Sequence, residues 1–216
     1  MKKIADKIFN SLIAGSVCLS MCMATSCKHG APETDITWND TLQLPPAPGD
    51  SVNIGVAGAF AGICDNTLMV AGGANFPDGF PWTGAKKVWH RTLYSYDFST
   101  EKWSVYPDFL PEPLAYGVSI PLPEGIMLIG GNNADGGSRA VYLLSDKGGR
   151  PELSSDIYPE LPFPLSNSAG ALVGRKVFLA GGICSDSVEC ASHAFVMLDL
   201  DRKDDGWQIL PPWPGP

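Results

Sequence analysis

A chain of 216 residues with 44% hydrophobic content has room for one or two domains and is neither disordered nor membrane-spanning along its length. Its formal net charge of −8 argues against a nucleic-acid partner, because phosphates need clustered Lys and Arg. The 24 glycines and 19 prolines, spread between short apolar runs, argue against helices and for an all-β protein with many turns.

The first element is a leader. Lys2, Lys3 and Lys7 precede an uncharged, mostly apolar stretch from Ile8 to Met23, shorter than the ~20 residues a membrane span needs. It ends at Ala24-Thr25-Ser26-Cys27, small residues directly before a cysteine, as in a bacterial lipobox with Cys27 as the acylated first residue. Ala24 stands where such boxes usually carry Leu, so an ordinary signal peptide cut near Ala24 is the alternative. Both routes export the protein. The expected location is the envelope of a Gram-negative bacterium, periplasmic or outer-membrane, with the lipid as the sole membrane contact. Losing residues 1–26 moves the net charge to about −10, so an anionic ligand would need a locally basic pocket.

After a linker over 27–35, residues 36–45 (Ile36-Thr-Trp38 through Leu44-Pro45) read as an outer strand without a blade before it. A repeat with a period near fifty residues follows. Thr67-Leu-Met-Val-Ala-Gly72-Gly73, Gly125-Ile-Met-Leu-Ile-Gly130-Gly131 and Lys176-Val-Phe-Leu-Ala-Gly181-Gly182 share one pattern, their double glycines 58 and 51 residues apart. Small-residue strands precede them: Gly55–Gly62, Ala115–Ser119 and Ser166–Ala171. Aromatic strands follow, around Tyr94, Tyr142 and Phe195; Trp103 and Trp207 then run toward Leu110-Pro111 and Leu210-Pro211, while the middle unit keeps only Leu161-Pro162.

This is the order of a kelch repeat, one unit per four-stranded propeller blade, with blades over about 51–111, 112–162 and 163–212. Small side chains suit crowded inner strands, a continuous apolar run suits a strand covered on both faces, and the double glycine supplies positive φ. A β-sandwich with similar turn spacing is the competing architecture. Three blades do not close a ring. The expectation is a truncated propeller, an N-terminal half of six blades, with self-association of two half-propellers as the other way to close it.

Four cysteines remain after processing. Cys184 and Cys190 share a loop and form either a disulfide or two free thiols; Cys64 lies in an apolar strand and reads as core. No second Cys/His pair stands at ligand spacing, so neither a metal nor another cofactor is expected. Trp38, Trp103 and Trp207 read as inter-blade packing, His90 as structural, and His29 and His193 have no evident partner.

Gly55-Val-Ala-Gly-Ala-Phe-Ala-Gly62, Ala71-Gly-Gly-Ala-Asn75-Phe76, Gly84-Ala-Lys86-Lys87, Ala115-Tyr-Gly-Val-Ser119 and Leu128-Ile-Gly-Gly131 resemble the bacterial N-acetylneuraminate epimerases, sialic acid mutarotases built as six-bladed kelch propellers. The resemblance is close over 50–146 and looser over 160–216. The order of blades is similar to the circularly permuted branch, a rearrangement that a closed ring tolerates. It implies conversion of the α- to the β-anomer of N-acetylneuraminate, which needs a base for the anomeric hydroxyl, an acid for the ring oxygen and a cation for the carboxylate. The family's proposed catalytic Glu and Arg fall in a Gly-Glu segment that this order would place beyond Pro216. No catalytic residue is assigned here, and the fragment alone is expected to be inactive.

The resemblance and loop positions make Asn75, Asn132 and Asn133 candidate pocket residues, with Lys86, Lys87 and Arg139 supplying positive charge for a small anionic sugar. Turn chemistry is the alternative for the asparagines and a solvated loop for the lysines. A non-catalytic cell-surface propeller that binds glycan or protein is the alternative function.

Overall fold

The computed structural model describes residues 37, 42–184 and 191–214. The expected leader, its lipid-bearing Cys27, the linker, His29, Trp38 and Cys190 lie outside them, as does half of the expected strand over 36–45. The chain divides into two units, Met1–Leu42 and Gln43–Pro216, and the blades lie in the second.

In blade 1, β1 (Phe60–Cys64) turns at Asp65, φ 51°, into β2 (Thr67–Ala71). A small hairpin follows, β3 (Ala74–Asn75) with β4 (Val88–Trp89), and then β5 (Leu93–Asp97) and β6 (Lys102–Tyr106). Blade 2 repeats the plan with β7 (Val118–Leu122), β8 (Gly125–Ile129), the small hairpin β9 (Asn132–Asn133) and β10 (Gly136–Gly137), β11 (Val141–Asp146) and β12 (Pro151–Ser154). Blade 3 has β13 (Ala169–Val173), β14 (Lys176–Ala180), β15 (Phe195–Asp199) and β16 (Gln208–Ile209). The main strands form three antiparallel four-stranded sheets, β1-β2-β5-β6, β7-β8-β11-β12 and β13-β14-β15-β16. The fold is a kelch-type propeller of about three blades.

The double glycines do what the repeat demands: Gly72 and Gly73 have φ 68° and 93°, Gly130 and Gly131 61° and 101°, Gly181 and Gly182 69° and 89°. Only glycine occupies this region freely, and a Cβ on Gly130 would stand 2.3 Å from the Leu165 carbonyl. That close approach belongs to a strap. In Leu161-Pro-Phe-Pro-Leu165 the ends are buried, the Leu161 N–H reaches the Arg139 carbonyl at 2.9 Å, and the Leu165 carbonyl accepts from Gly131 N–H at 2.9 Å. Leu110-Pro-Glu-Pro-Leu114 does the same one blade earlier, with Leu110 N–H on the Arg91 carbonyl and Gly73 N–H on the Leu114 carbonyl. The Leu-Pro signal is therefore a strap that carries the chain from a blade's outer edge back toward the centre. Proline suits it, because these stretches leave few N–H groups to satisfy.

The core lies between sheets. Phe60, Met69 and Leu93 of blade 1 meet Ile126, Leu128, Tyr142 and Leu144 of blade 2. The other face of blade 2, with Ile120, Met127, Ile129, Val141 and Leu143, meets Val177, Leu179, Val196 and Leu198 of blade 3. Burying each such side chain is worth about 1.5–3 kcal/mol, so these two seams hold the blades together. Cys64 is buried in the first of them, as its sequence context suggested.

Three details depart from the sequence pattern. Each inner strand starts late: the small residues of 55–59, 115–117 and 166–168 precede β1, β7 and β13. They instead form single bridges, Ala57 with Ala74, Ala115 with Asn132 and Ser166 with Ile183. Next to each bridge stands a left-handed residue, Gly58 (φ 64°), Tyr116 (φ 62°) or Asn167 (φ 54°). These three are joined across blades: Tyr116 N–H donates to the Gly58 carbonyl and Asn167 N–H to the Tyr116 carbonyl, both at 2.7 Å. Secondly, the middle blade forms its fourth strand, β12, without a tryptophan. Thirdly, Trp207 crosses to the neighbouring blade, its Nε1–H on the Pro159 carbonyl at 2.9 Å, whereas Trp103 packs within its own sheet, 5.1 Å from Tyr96.

Candidate functional site

The loops that follow the double glycines converge from all three blades. A cleft of about 350 Å³ is lined by Lys87 and Trp89 of blade 1, Asn132, Asn133, Ala134, Asp135, Gly136 and Gly137 of blade 2, and Ser166 and Ile183 of blade 3. Its walls are fixed by hydrogen bonds that cross the blades. Trp89 Nε1–H donates to Asn132 Oδ1 at 3.1 Å, and Asn132 Nδ2–H reaches Ser166 Oγ at 3.4 Å. Asn132 is thus spent on both sides of its amide, joining blade 1 to blade 3. Asn133 donates to Glu112 Oε2 at 3.2 Å, while its Oδ1 accepts from Asp135 N–H at 2.8 Å, an Asx turn that shapes the hairpin tip. The other oxygen of Glu112 accepts from Ser138 Oγ–H at 3.1 Å.

Lys87 is the cation of this cleft. It is half-buried, its Nζ lies 4.2 Å from the Tyr116 ring centroid and 5.2 Å from that of Trp89, and it makes no ion pair among the described residues. Two aromatic rings therefore hold an ammonium group that pairs directly with no carboxylate among the described residues, although Asp135 lines the same cleft, and this leaves it available to an anion. Lys86, its neighbour, points its exposed side chain away into solvent and does not line the cleft.

Asn75 sits in a different place. Its Nδ2–H donates to the Gly55 carbonyl at 2.9 Å and its Oδ1 meets His90 Nε2 at 2.8 Å. Both border a smaller cleft of about 240 Å³, with Asp50, Asn53 and Tyr94. Burial lowers the His90 pKa, partly opposed by Asp50, so the ring is a neutral partner that steadies Asn75. Burial likewise raises the Tyr94 hydroxyl, an effect that the Asn53 side chain partly offsets.

Arg139 is committed elsewhere. Its Nε–H donates to the Leu161 carbonyl at 2.7 Å, repeating Arg91 on the Leu110 carbonyl at 2.7 Å, and each guanidinium lies near a carboxylate, Glu160 or Asp108. Arginine at this register is the anchor of the strap. Cys184 is half-buried and its Sγ contacts Ser192 Oγ at 2.9 Å; Cys190, its expected partner, lies outside the described residues. His193 does have a partner, the Trp213 carbonyl at 3.3 Å from Nδ1.

Of the six predicted pocket residues, then, Lys87, Asn132 and Asn133 share one cleft, Asn75 borders another, and Lys86 and Arg139 line neither. Sequence reasoning passed over Trp89, Tyr116, Ser166 and Glu112. Glu112 carried a signal, since it is the lone polar residue in the Leu-Pro-x-Pro-Leu straps, where blade 2 has Phe163. The other three are recruited by neighbours tens of residues away.

A kelch propeller with a polar cleft where its loops meet, holding a caged ammonium group, is the class of protein that these features define. The family model for N-acetylneuraminate epimerase matches residues 11–151, and the chain belongs to that family. It is 37% identical over 130 residues to the N-acetylneuraminate epimerase of Yersinia enterocolitica serotype O:8 / biotype 1B, covering 56% of this chain and 32% of that protein. With the N-acetylneuraminate epimerase of Salmonella typhi it shares 38% over 113 residues, 47% and 28% of the two chains. The chain therefore spans about a third of the length of the curated relatives it matches. A solved structure titled "Structure of YjhT" superposes with a TM-score of 0.60 at 18% identity, covering 80% of this chain and 56% of that one, a likeness of fold.

Proposed function

We propose that these blades form the sugar-gripping part of a sialic acid mutarotase, a protein that interconverts the anomers of N-acetylneuraminate. The observation that carries this reading is Lys87, an unneutralised ammonium group in a polar cleft of a chain with net charge −8. A sugar acid carries one carboxylate and several hydroxyls, and the cleft supplies the Lys87 cation, the Asn132 and Asn133 amides and the Ser166 hydroxyl, alongside the Asp135 carboxylate. Glu112, Asn133 and Ser138 add a fixed carboxylate and its donors beside it.

Ring opening at the anomeric carbon also needs an acid and a base in contact with the sugar. The Glu and Arg expected from the family are not among these residues. The present chain is accordingly read as a binder that does not itself speed anomer exchange. Export through the leader, with a lipid on Cys27, would put it where sialidases release their product.

Saturation-transfer NMR with N-acetylneuraminate and the full chain tests the binding, and proton NMR of the α and β signals tests the chemistry. Binding without acceleration is expected. A protein in which these blades are part of a closed ring of six should accelerate the exchange; if it binds the sugar and leaves the rate unchanged, the non-catalytic glycan-binding reading replaces this one. No binding by either would sink both.

A further inference from the structure

We propose that Tyr116 is a positioning residue, a strained aromatic platform that holds the Lys87 ammonium group in place to receive the carboxylate of an acidic sugar. The inference rests on the reading of Lys87 given above and adds the residue that fixes it.

Tyr116 is a mismatch within its own repeat. Equivalent positions of the three blades adopt the left-handed conformation, and two of them carry residues that tolerate it, Gly58 and Asn167. Blade 2 carries Tyr116 there, at φ 62°. A bulky side chain in this region is costly, and such strain persists where the surroundings enforce it and function uses it.

Here the surroundings do enforce it. The Tyr116 backbone is hydrogen-bonded on both sides, its N–H to Gly58 and its carbonyl to Asn167, each at 2.7 Å. The ring is fixed as well. It lies so close to Gly58 that a Cβ there would stand 2.5 Å from Tyr116 Cδ1, so position 58 is kept empty for it. The Lys87 Nζ then sits 4.2 Å from the ring centroid, nearer than to Trp89. A flexible lysine would have to be ordered each time an anion bound; one already seated on a rigid ring does not. Asparagine or glycine at position 116 would relieve the backbone and release the lysine.

Three chains test this: the unsubstituted protein, Tyr116→Phe and Tyr116→Asn. The probes are N-acetylneuraminate and its methyl ester, which keeps the sugar and loses the charge. In the unsubstituted chain the Lys87 methylene protons should resonate upfield of a free lysine, and the acid should bind better than the ester. Tyr116→Phe should keep both properties. Tyr116→Asn suits the left-handed backbone and should fold, yet lose the upfield shift and weaken binding of the acid on the order of three- to tenfold, with the ester unchanged. Gly58→Ala, which displaces the ring without altering either partner, should act in the same direction.

A Lys87 signal at the free-lysine position in the unsubstituted chain overturns the proposal without any variant. An acid-to-ester ratio unaltered in Tyr116→Asn overturns it too, while leaving the proposed function standing. Equal binding of acid and ester by the unsubstituted chain removes the role of Lys87 and this inference together.

Discussion

Blade 2 and blade 3 are built on the same register and differ in what covers them. Every residue of β8, from Gly125 to Ile129, is buried, whereas β14 buries only Val177 and Leu179. Met127 and Phe178 stand at equivalent positions, two residues before the strand's end, and both face away from the preceding blade. Met127 is fully buried against blade 3; Phe178 is half-exposed and stacks on Phe195 at 6.0 Å, with no sheet against it among the described residues. The apolar run thus announces that a strand is meant to be covered on both faces, and the adjacent blade decides whether it is. In a propeller, burial is a property of a seam rather than of a strand.

The sharpest way to break this comparison is to truncate both side chains. Met127→Ala should cost about 2–5 kcal/mol, because it opens a cavity in a closed seam. Phe178→Ala removes more atoms and should cost roughly a third of that, since its site is open. Denaturant titration of both variants is the check, and equal losses would mean that blade 3 is covered on that face after all.

A second pair concerns the first glycine after the strand. Alanine at either position bears the left-handed strain of about 1–2 kcal/mol. At Gly130 its Cβ would also meet the Leu165 carbonyl at 2.3 Å, while at Gly181 the nearest atoms lie 3.9 Å away. Gly130→Ala should therefore lower the Tm well below that of Gly181→Ala, although the two sequences around them are alike.

The smallest effect sharpens the seam itself. Tyr158, in the core between blades 2 and 3, donates its hydroxyl to Glu124 Oε1 at 2.6 Å, and its pKa is raised, chiefly by burial and then by that carboxylate. The folded state holds this proton more tightly than the unfolded chain. Its contribution is therefore complete below the ordinary tyrosine pKa of 10.0 and declines as the pH rises above it. Tyr158→Phe should lower stability modestly at neutral pH, where the hydrogen bond to Glu124 is intact, and flatten the fall in stability above pH 10, as thermal melts across that range would reveal.

What could be read from the chain follows the same division. The double glycines, the apolar runs and the aromatic strands are local signals, and each recurs in one of the three four-stranded sheets. The inner strands were misplaced by a few residues because small side chains serve two ends, strand packing and close backbone approach, which look alike in sequence. At Gly117 a Cβ would come within 2.3 Å of Phe60, a reason for its smallness that depends on the preceding blade. The cleft was legible where a residue follows its own double glycine, as Asn132 and Asn133 do. It was not legible for Trp89 and Ser166, which gain meaning only when hydrogen bonds join positions separated by 43 and 34 residues, nor for Tyr116, whose ring meets Lys87 from another blade. Arg139 misled because a cation in an acidic chain invites a ligand, yet its place before β11 matches that of Arg91 before β5, and both serve the strap.

The backbone link that runs from Asn167 through Tyr116 to Gly58 has a direction, since each amide hands its proton to the carbonyl one module back. Peptide dipoles arranged nose to tail reinforce one another, so the hub carries a small permanent polarity around its rim. One terminus of that link offers a carbonyl and the other an amide. Whatever module joins either side must arrive in the same rotational sense, like a tile with a tongue on one edge and a groove on the opposite one.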